Sequence, residues 1–427
     1  MERLMQYIWQ YRLYPTAEMV TVDGKRVEIL DPGLLNRDAG PDFFNAKITI
    51  GGQEWVGNIE IHVRASDWKR HGHDTDPAYD SVILHVVEKD DAQIRRADGN
   101  VIPQLVMTCS HDFSARYQDM VNNPARELPC GPELPKIPQI NISDWFTSLA
   151  YERLYQKCDR IERLLTQYNG NWIEVIYVVL ARALGFSTNS EPFELLAKST
   201  PLKHMLHYSD SPEQIEAMLF GQSGLIDKAH AGDDEYAEML RHEYEFMKVK
   251  FGLRPSSNIV WKMARMRPQN FPHRRIATLA AMVTKHFALG NKILAIKNEE
   301  EARALFDINL RGYWARHFNF SPTTVPTGKA LSHSSITVLL INVVAPILYA
   351  YGTYTGDSTR QEIAISLLQS LKPERNSIID IYERAGLKAT DAFTTQAMIQ
   401  LRREYCQQRK CLFCRIGHKL LSSKVKP

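Results

Sequence analysis

The chain has little of what marks secreted, membrane-spanning or strongly basic proteins. It holds six cysteines in 427 residues, three scattered (Cys109, Cys130, Cys158) and three together (Cys406, Cys411, Cys414). That is no secreted disulfide framework, and a chain this long builds a core without one. Neither sign of charge dominates: 52 Lys and Arg stand against 49 Asp and Glu, a net of +3. Any electrostatic argument for a partner is therefore local. Long apolar runs are lacking too. The longest, Ile336 to Tyr351, is broken by Thr337, Asn342 and Pro346. It falls short of the roughly 20 residues that span a bilayer and reads as a buried helix. Met1 to Gln10 lacks the apolar stretch and small-residue cleavage site of a signal peptide. No fixed period repeats, which argues against a solenoid. Apolar residues make up 44% and charged residues 24%, which excludes wholesale disorder. The expectation is a soluble cytoplasmic protein with no membrane segment.

Periodicity divides the chain. Residues 1–123 predict a small α+β domain. Leu4, Ile8 and Leu13 mark one face of an opening helix. Strands are expected over 20–30 around Asp23-Gly24, over 45–50 and 54–63 around Gly51-Gly52, and over 81–87. Asp98-Gly99 predicts a turn into a last strand over 101–107. Prolines 124, 129, 132, 135 and 138 predict an extended linker over 124–142, or a long loop packed on the first domain. From 143 to 400 the period becomes helical, with Ser143 or Asp144 as the first cap. Residues 401–427 form a basic Cys/His tail. The architecture expected is a small α+β domain followed by a larger all-α domain.

The richest chemistry lies in Pro41-Asp42 and Glu60-Ile61-His62. Glu60 and His62, two apart on a strand, share a face, and a hairpin brings Asp42 near them. Two carboxylates on adjacent strands can hold a divalent cation, which polarises a phosphodiester and acidifies a bound water. His71, His73 and His85 follow closely. With His62 and either Glu60 or Asp74 they can form a transition-metal site. The plainer reading, which the sequence favours for His71 and His73, is a hydrogen-bonded loop, with His85 a core residue.

Cys406-x4-Cys411-x2-Cys414-x3-His418 has the ligand types and compactness of a closed structural zinc site. The rival is an iron–sulfur cluster taking its fourth cysteine from elsewhere, Cys130 or Cys158. Around it lie Arg402, Arg403, Arg409, Lys410, Arg415, Lys419, Lys424 and Lys426. A second basic stretch carries Lys262, Arg265, Arg267, Arg274 and Arg275, interleaved with Trp261 and Phe271. Arginine pairs phosphate and an aromatic stacks on a base, so this stretch reads as a nucleic-acid-binding loop. Its alternative is a loop whose arginines pair with acids such as Glu243 or Glu245. Residues 307–317 read as an amphipathic helix.

Pro41-Asp42 with Glu60-Ile61-His62 resembles the motif of the PD-(D/E)XK nuclease superfamily, with His62 where lysine is usual. The resemblance covers about residues 1–110. It implies a restriction-endonuclease-like mixed sheet, Mg²⁺ or Mn²⁺ on Asp42 and Glu60, a water positioned by His62, and DNA or RNA as substrate. Neutral imidazole accepts a proton or binds metal but lacks lysine's permanent charge. Over nearly the whole length, Asn36 to Phe43, Gly57 to His62, Ser66-Asp67-Trp68, Leu84 to Val87, Leu184-Gly185-Phe186, Asn270-Phe271-Pro272 and Tyr405 to Cys414 are together similar to domain-of-unknown-function family 2851. That similarity supports the two-part organisation and implies no established activity. Three functions stay open: a metal-dependent nuclease, a noncatalytic nucleic-acid- or protein-binding scaffold stapled by zinc, and a histidine-rich metalloenzyme.

Overall fold

The structure, a computed structural model, describes residues 1–14, 19–36, 38–96, 98–108, 111–123, 126–227, 231–232, 234–255, 258–285, 289–320 and 328–422. Cys109, Pro124, Lys424 and Lys426 lie outside the described residues. The chain forms two compact units. One is Met1–Trp145 with Asp380–Leu387 and Leu401–Pro427; the other is Phe146–Ile379 with Lys388–Gln400.

The first unit is built on a mixed sheet. Helix α1 (Glu2–Gln10) precedes β1 (Val27–Asp31), β2 (Leu34–Leu35), β3 (Phe43–Ile50) and β4 (Gln53–Arg64). Helix α2 (Asp67–Arg70), β5 (Val82–Lys89), β6 (Gln104–Val106) and helix α3 (His111–Asn122) follow. The strand order is β1-β3-β4-β5-β6, with β2 beside β3. Gly51 and Gly52 take φ of 59° and 84°, the left-handed pair that a two-residue hairpin needs, and they close β3 onto β4. From β4 onward the pairing is parallel, with Glu60 opposite His85 and Val86 opposite Leu105. A side chain at Gly57 would meet Ile83 Cγ2 at 2.4 Å, so glycine lets β4 and β5 approach there. Asp98-Gly99 turns the chain between the bridged residues Arg95 and Val101, and β6 then runs parallel to β5.

Alternation along β4 sends Ile59 and Ile61 into the main core with Leu4, Met5, Ile8 and Trp9. Glu60 and His62 therefore face the other side, where Trp68, Tyr79, Val87 and Ile102 make a smaller apolar cluster.

Two expected boundaries change. Residues 126–142 are not an extended linker: Gly131–Lys136 wind into a 3-10 turn, and Leu128, Leu134 and Ile137 are buried. Pro132 sits in the first turn, where its missing N–H costs nothing. The C-terminal residues are not a separate tail either, since Leu412 and Leu421 lie in the first unit's core. Helix α4 (Gln139–Gln167) starts before the expected cap, and Ser143 Oγ donates to the Ile140 carbonyl inside it.

The second unit is helical. Asn171 Oδ1 accepts the N–H groups of Ile173 and Glu174 and starts helix α5 (Trp172–Leu184), most of whose side chains are buried. His333–Thr355 is long and apolar enough to cross a membrane by length and composition, and 72% of its apolar window is buried in the fold. Residues 307–317 are not a helix. Asn309 bridges to Lys329, Gly312 takes φ of 55°, and a single 3-10 turn, Gly312–Ala315, follows.

In this unit Trp314 Nε1 and Tyr236 OH both donate to Glu216 Oε2, at 2.6 and 2.9 Å. Burial pushes the Glu216 carboxyl up from 4.5 to about 7. The folded state then keeps a proton that the unfolded chain releases, so stability falls as pH rises from 4.5 through about 7. Glu216→Gln flattens that fall, as read by denaturant unfolding at the two ends of the range.

Candidate metal centre

Four donors converge where β4 meets the turn after α2. Glu60 and His62 come from one face of β4. His71 and His73 come from the turn, where Gly72 takes φ of 77° and the backbone bonds His71 N to Asp67 O (2.9 Å) and His73 N to Trp68 O (3.1 Å). A left-handed glycine ending α2 is what turns both imidazoles back toward β4.

Glu60 Oε1 lies 3.4 Å from His62 Nε2 and 3.4 Å from His73 Nε2, and His71 Nδ1 lies 3.2 Å from His62 Nε2. Among the described residues, His62, His71 and His73 form a group whose donor atoms all lie within 4.8 Å of one another. A tetrahedral ion with bonds of about 2.0–2.1 Å separates its donors by about 3.3 Å. Three of the six separations, Glu60 to His62 and to His73 and His71 to His62, match that edge, while the donors that all lie within 4.8 Å of one another are the three imidazoles. Three imidazole nitrogens and one carboxylate oxygen suit zinc or another first-row transition ion better than magnesium, which prefers oxygen alone.

The surrounding groups fix these donors. His62 Nδ1 sits 2.9 Å from His85 Nε2, so with Nε2 given to an ion the Nδ1–H donates to His85. Trp68 lies edge-on to both His73 and His85, and the His73 ring stacks on Tyr79 at 3.7 Å. Burial, reinforced by neighbouring histidines, pushes His62 down to about 2 and His85 to about 3, so both are neutral, the form that ligates metal. Glu60 is 4% exposed and His62 1%. His71 is exposed and His73 half-buried, so solvent reaches the donors from that side.

Asp42 plays a different part from the one its sequence suggested. It does meet Glu60, but both its oxygens are engaged. Oδ1 accepts from Gln6 Nε2 (2.8 Å) and Oδ2 from the Ile61 N–H (3.0 Å), while the Asp42 N–H donates to Glu60 Oε2 (3.0 Å). Asp42 thus anchors the far oxygen of Glu60 and leaves Oε1 to the histidines. Burial first, and then the Glu60 charge, hold its carboxyl above the usual carboxylate range. Glu60 Oε1 is the carboxylate oxygen 3.4 Å from both His62 and His73. Sequence reading placed α1 but missed its part in the site: Gln6 holds Asp42, and half-buried Glu2 lies within reach of the Glu60 and Asp67 charges. Their i, i+4 spacing was the available signal.

The cysteine cluster also differs from expectation. His418 Nδ1 lies 2.6 Å from Tyr7 OH and its ring lies against Tyr11. The cavity that Cys406, Cys411 and Cys414 line is completed by Cys130. Burial pushes these thiols up, Cys406 to about 12 and Cys411 to about 11.

The basic stretch divides. Lys262, Arg265 and Arg267 are exposed. Arg274 and Arg275 are not surface phosphate ligands: they are 1% and 2% exposed, and their guanidiniums hold the carbonyls of Trp314, His317, Lys329 and Ala330. Trp261 Nε1 donates to the Ser223 carbonyl and its ring meets Phe193 edge-on, so it packs rather than stacking on a base.

A family model described as Protein of unknown function (DUF2851) matches residues 2–377. No curated protein and no solved structure matches the chain.

Proposed function

This chain belongs to the DUF2851 family, and we propose that its first unit is a metal-dependent hydrolase of phosphodiesters in DNA or RNA. The observation that carries this reading is the grouping of three imidazoles, their donor atoms within 4.8 Å of one another, with Glu60 Oε1 3.4 Å from two of them. A transition ion held there would acidify a water, or polarise a phosphoryl oxygen, taken up as a fifth ligand. Glu60, His62, His71 and His73 hold the ion; Asp42 and His85 orient Glu60 and His62. Exposed Lys69 and Arg70 directly precede His71 in the chain and favour an anionic substrate. The order of α1, the β3–β4 hairpin, α2 and the parallel β5 is compatible with a restriction-endonuclease-like core. Lys262, Arg265 and Arg267 are kept as phosphate contacts on the second unit; salt-dependent binding that weakens on their replacement tests them.

A second reading, a noncatalytic scaffold with a stapling metal, draws on the burial of Glu60 and His62 and on a donor set that fills a tetrahedron. The test uses the full chain, stripped by chelator and reloaded with zinc or manganese, on labelled DNA and RNA. The hydrolase reading expects cleavage that needs the ion and disappears in His73→Ala. Tight ion binding with no cleavage of either nucleic acid contradicts it and selects the scaffold.

A further inference from the structure

We propose that Cys130, Cys406, Cys411 and Cys414 bind one four-iron iron–sulfur cluster, which ties the segment around residue 130 to the C-terminal residues of the same unit. The four cysteines line a single cavity, shared with Met120, Pro129, Tyr405 and Gly417. All four are free of disulfides. Cys130 stands far from the others in sequence, so the fold, not local spacing, assembles the set.

Several contacts are devoted to that assembly. Arg402 Nη1 donates to the Glu127 carbonyl at 2.6 Å, and Arg384 pairs with the Glu127 carboxylate at 2.8 Å, which pins the chain just before Cys130. Leu401–Cys406 form a π-helical turn, whose i→i+5 bonding adds a residue to the turn and re-aims Cys406 relative to an α-helix. Cys411–Phe413 make a 3-10 turn directly before the helix Arg415–Ser422. A side chain at Gly417 would strike the Cys411 carbonyl at 2.1 Å, so only glycine lets that helix close over the turn. The backbone N–H groups of Gly417 and Ile416 bond Cys414, the kind of donor that stabilises cluster-bound thiolate.

Spacing separates a cluster from a single ion. A zinc ion about 2.3 Å from each sulfur draws four thiolates to within about 3.8 Å of one another. Among the described residues the group of donors lying within 4.8 Å of one another is the histidine trio, so no three of these sulfurs lie that close together. A cluster places its irons between the centre and the sulfurs, and so fits thiolates more widely spread. Four cysteines are the ligand set of such a cluster.

The test is anaerobic purification of the full chain from iron-supplied cells, with iron, acid-labile sulfide and visible absorbance measured. About four irons and four sulfides per chain are expected, with a broad absorbance bleached by reductant. Cys130→Ser loses most of the iron and sulfide. His418→Ala keeps both, as does Cys158→Ser, whose thiol lies in the other unit beside the Pro346 carbonyl. If Cys130→Ser does not fold, the wild-type chain stripped of metal is titrated with ferrous iron and sulfide, and the same stoichiometry is expected. Zinc without sulfide, or a full cluster in Cys130→Ser, overturns the proposal. These readouts do not involve the histidine site, so the two assignments fail independently.

Discussion

Glu60→Gln empties the histidine site of its ion and takes ion-dependent cleavage to background. The substitution keeps a side-chain oxygen to accept the Asp42 N–H, now 3.0 Å from Glu60 Oε2, so the hairpin stays anchored. What goes is the negative charge. Glu60 is the carboxylate that faces the imidazoles of His62 and His73, and it offsets the charge of a divalent cation in a buried place. Losing an outer-shell partner of a metal ligand already costs roughly 10–100-fold in affinity, and losing the ligand's charge costs more. Titration of the stripped chain with zinc, followed by calorimetry, reads the affinity. Circular dichroism of the metal-free variant checks that its fold is kept. Unchanged affinity in a folded Glu60→Gln chain removes Glu60 from the ligand set.

Arg274→Ala unfolds or severely weakens the second unit and leaves nucleic-acid affinity of the surviving folded chain unchanged. Arg274 Nη1 donates to the carbonyls of Trp314 (2.8 Å) and His317 (3.2 Å), and Nη2 to that of Lys329 (2.9 Å). The side chain is 1% exposed. Its removal strands these carbonyls without donors and leaves a cavity beneath Phe318, whose ring stacks under the guanidinium. Truncating one partner of such a buried charged network costs about 3–5 kcal/mol. Arg274→Lys does not restore it, because an ammonium cannot reproduce the planar fork that reaches three carbonyls. Urea unfolding of both variants reads the loss. A stable Arg274→Ala chain with weakened, less salt-sensitive DNA binding restores the phosphate-contact reading.

How much of this was legible depended on the range of the interaction. Gly51-Gly52 between alternating strands identified the β3–β4 hairpin, and the same alternation put Glu60 and His62 on one face. Those are short-range rules, and the register bears them out. The turn after α2 was harder. His71-Gly72-His73 reads as an ordinary loop until α2 ends in a left-handed glycine that sends both rings back to β4. Cys130 and His418 show the limit most clearly. Spacing favoured the nearby histidine, whereas tertiary packing gave His418 to Tyr7 and brought Cys130 in from another part of the unit. Arg274 and Arg275 look like surface cations in any composition count. Only the loop around Trp314, and its need for donors, explains why they are buried. Residues 307–317 carry helical periodicity, but Gly312 and the bridge to Lys329 prevail over it.

The central claim is that one transition ion sits among Glu60, His62, His71 and His73. X-ray absorption at the zinc edge of the full chain, stripped and loaded with one equivalent of zinc, tests it most directly. An ion held there gives a shell of nitrogen and oxygen at about 2.0–2.1 Å with imidazole scattering and no sulfur, lost in His73→Ala. A shell of sulfur at about 2.3 Å, or zinc that stays bound in His73→Ala with an unchanged spectrum, contradicts it.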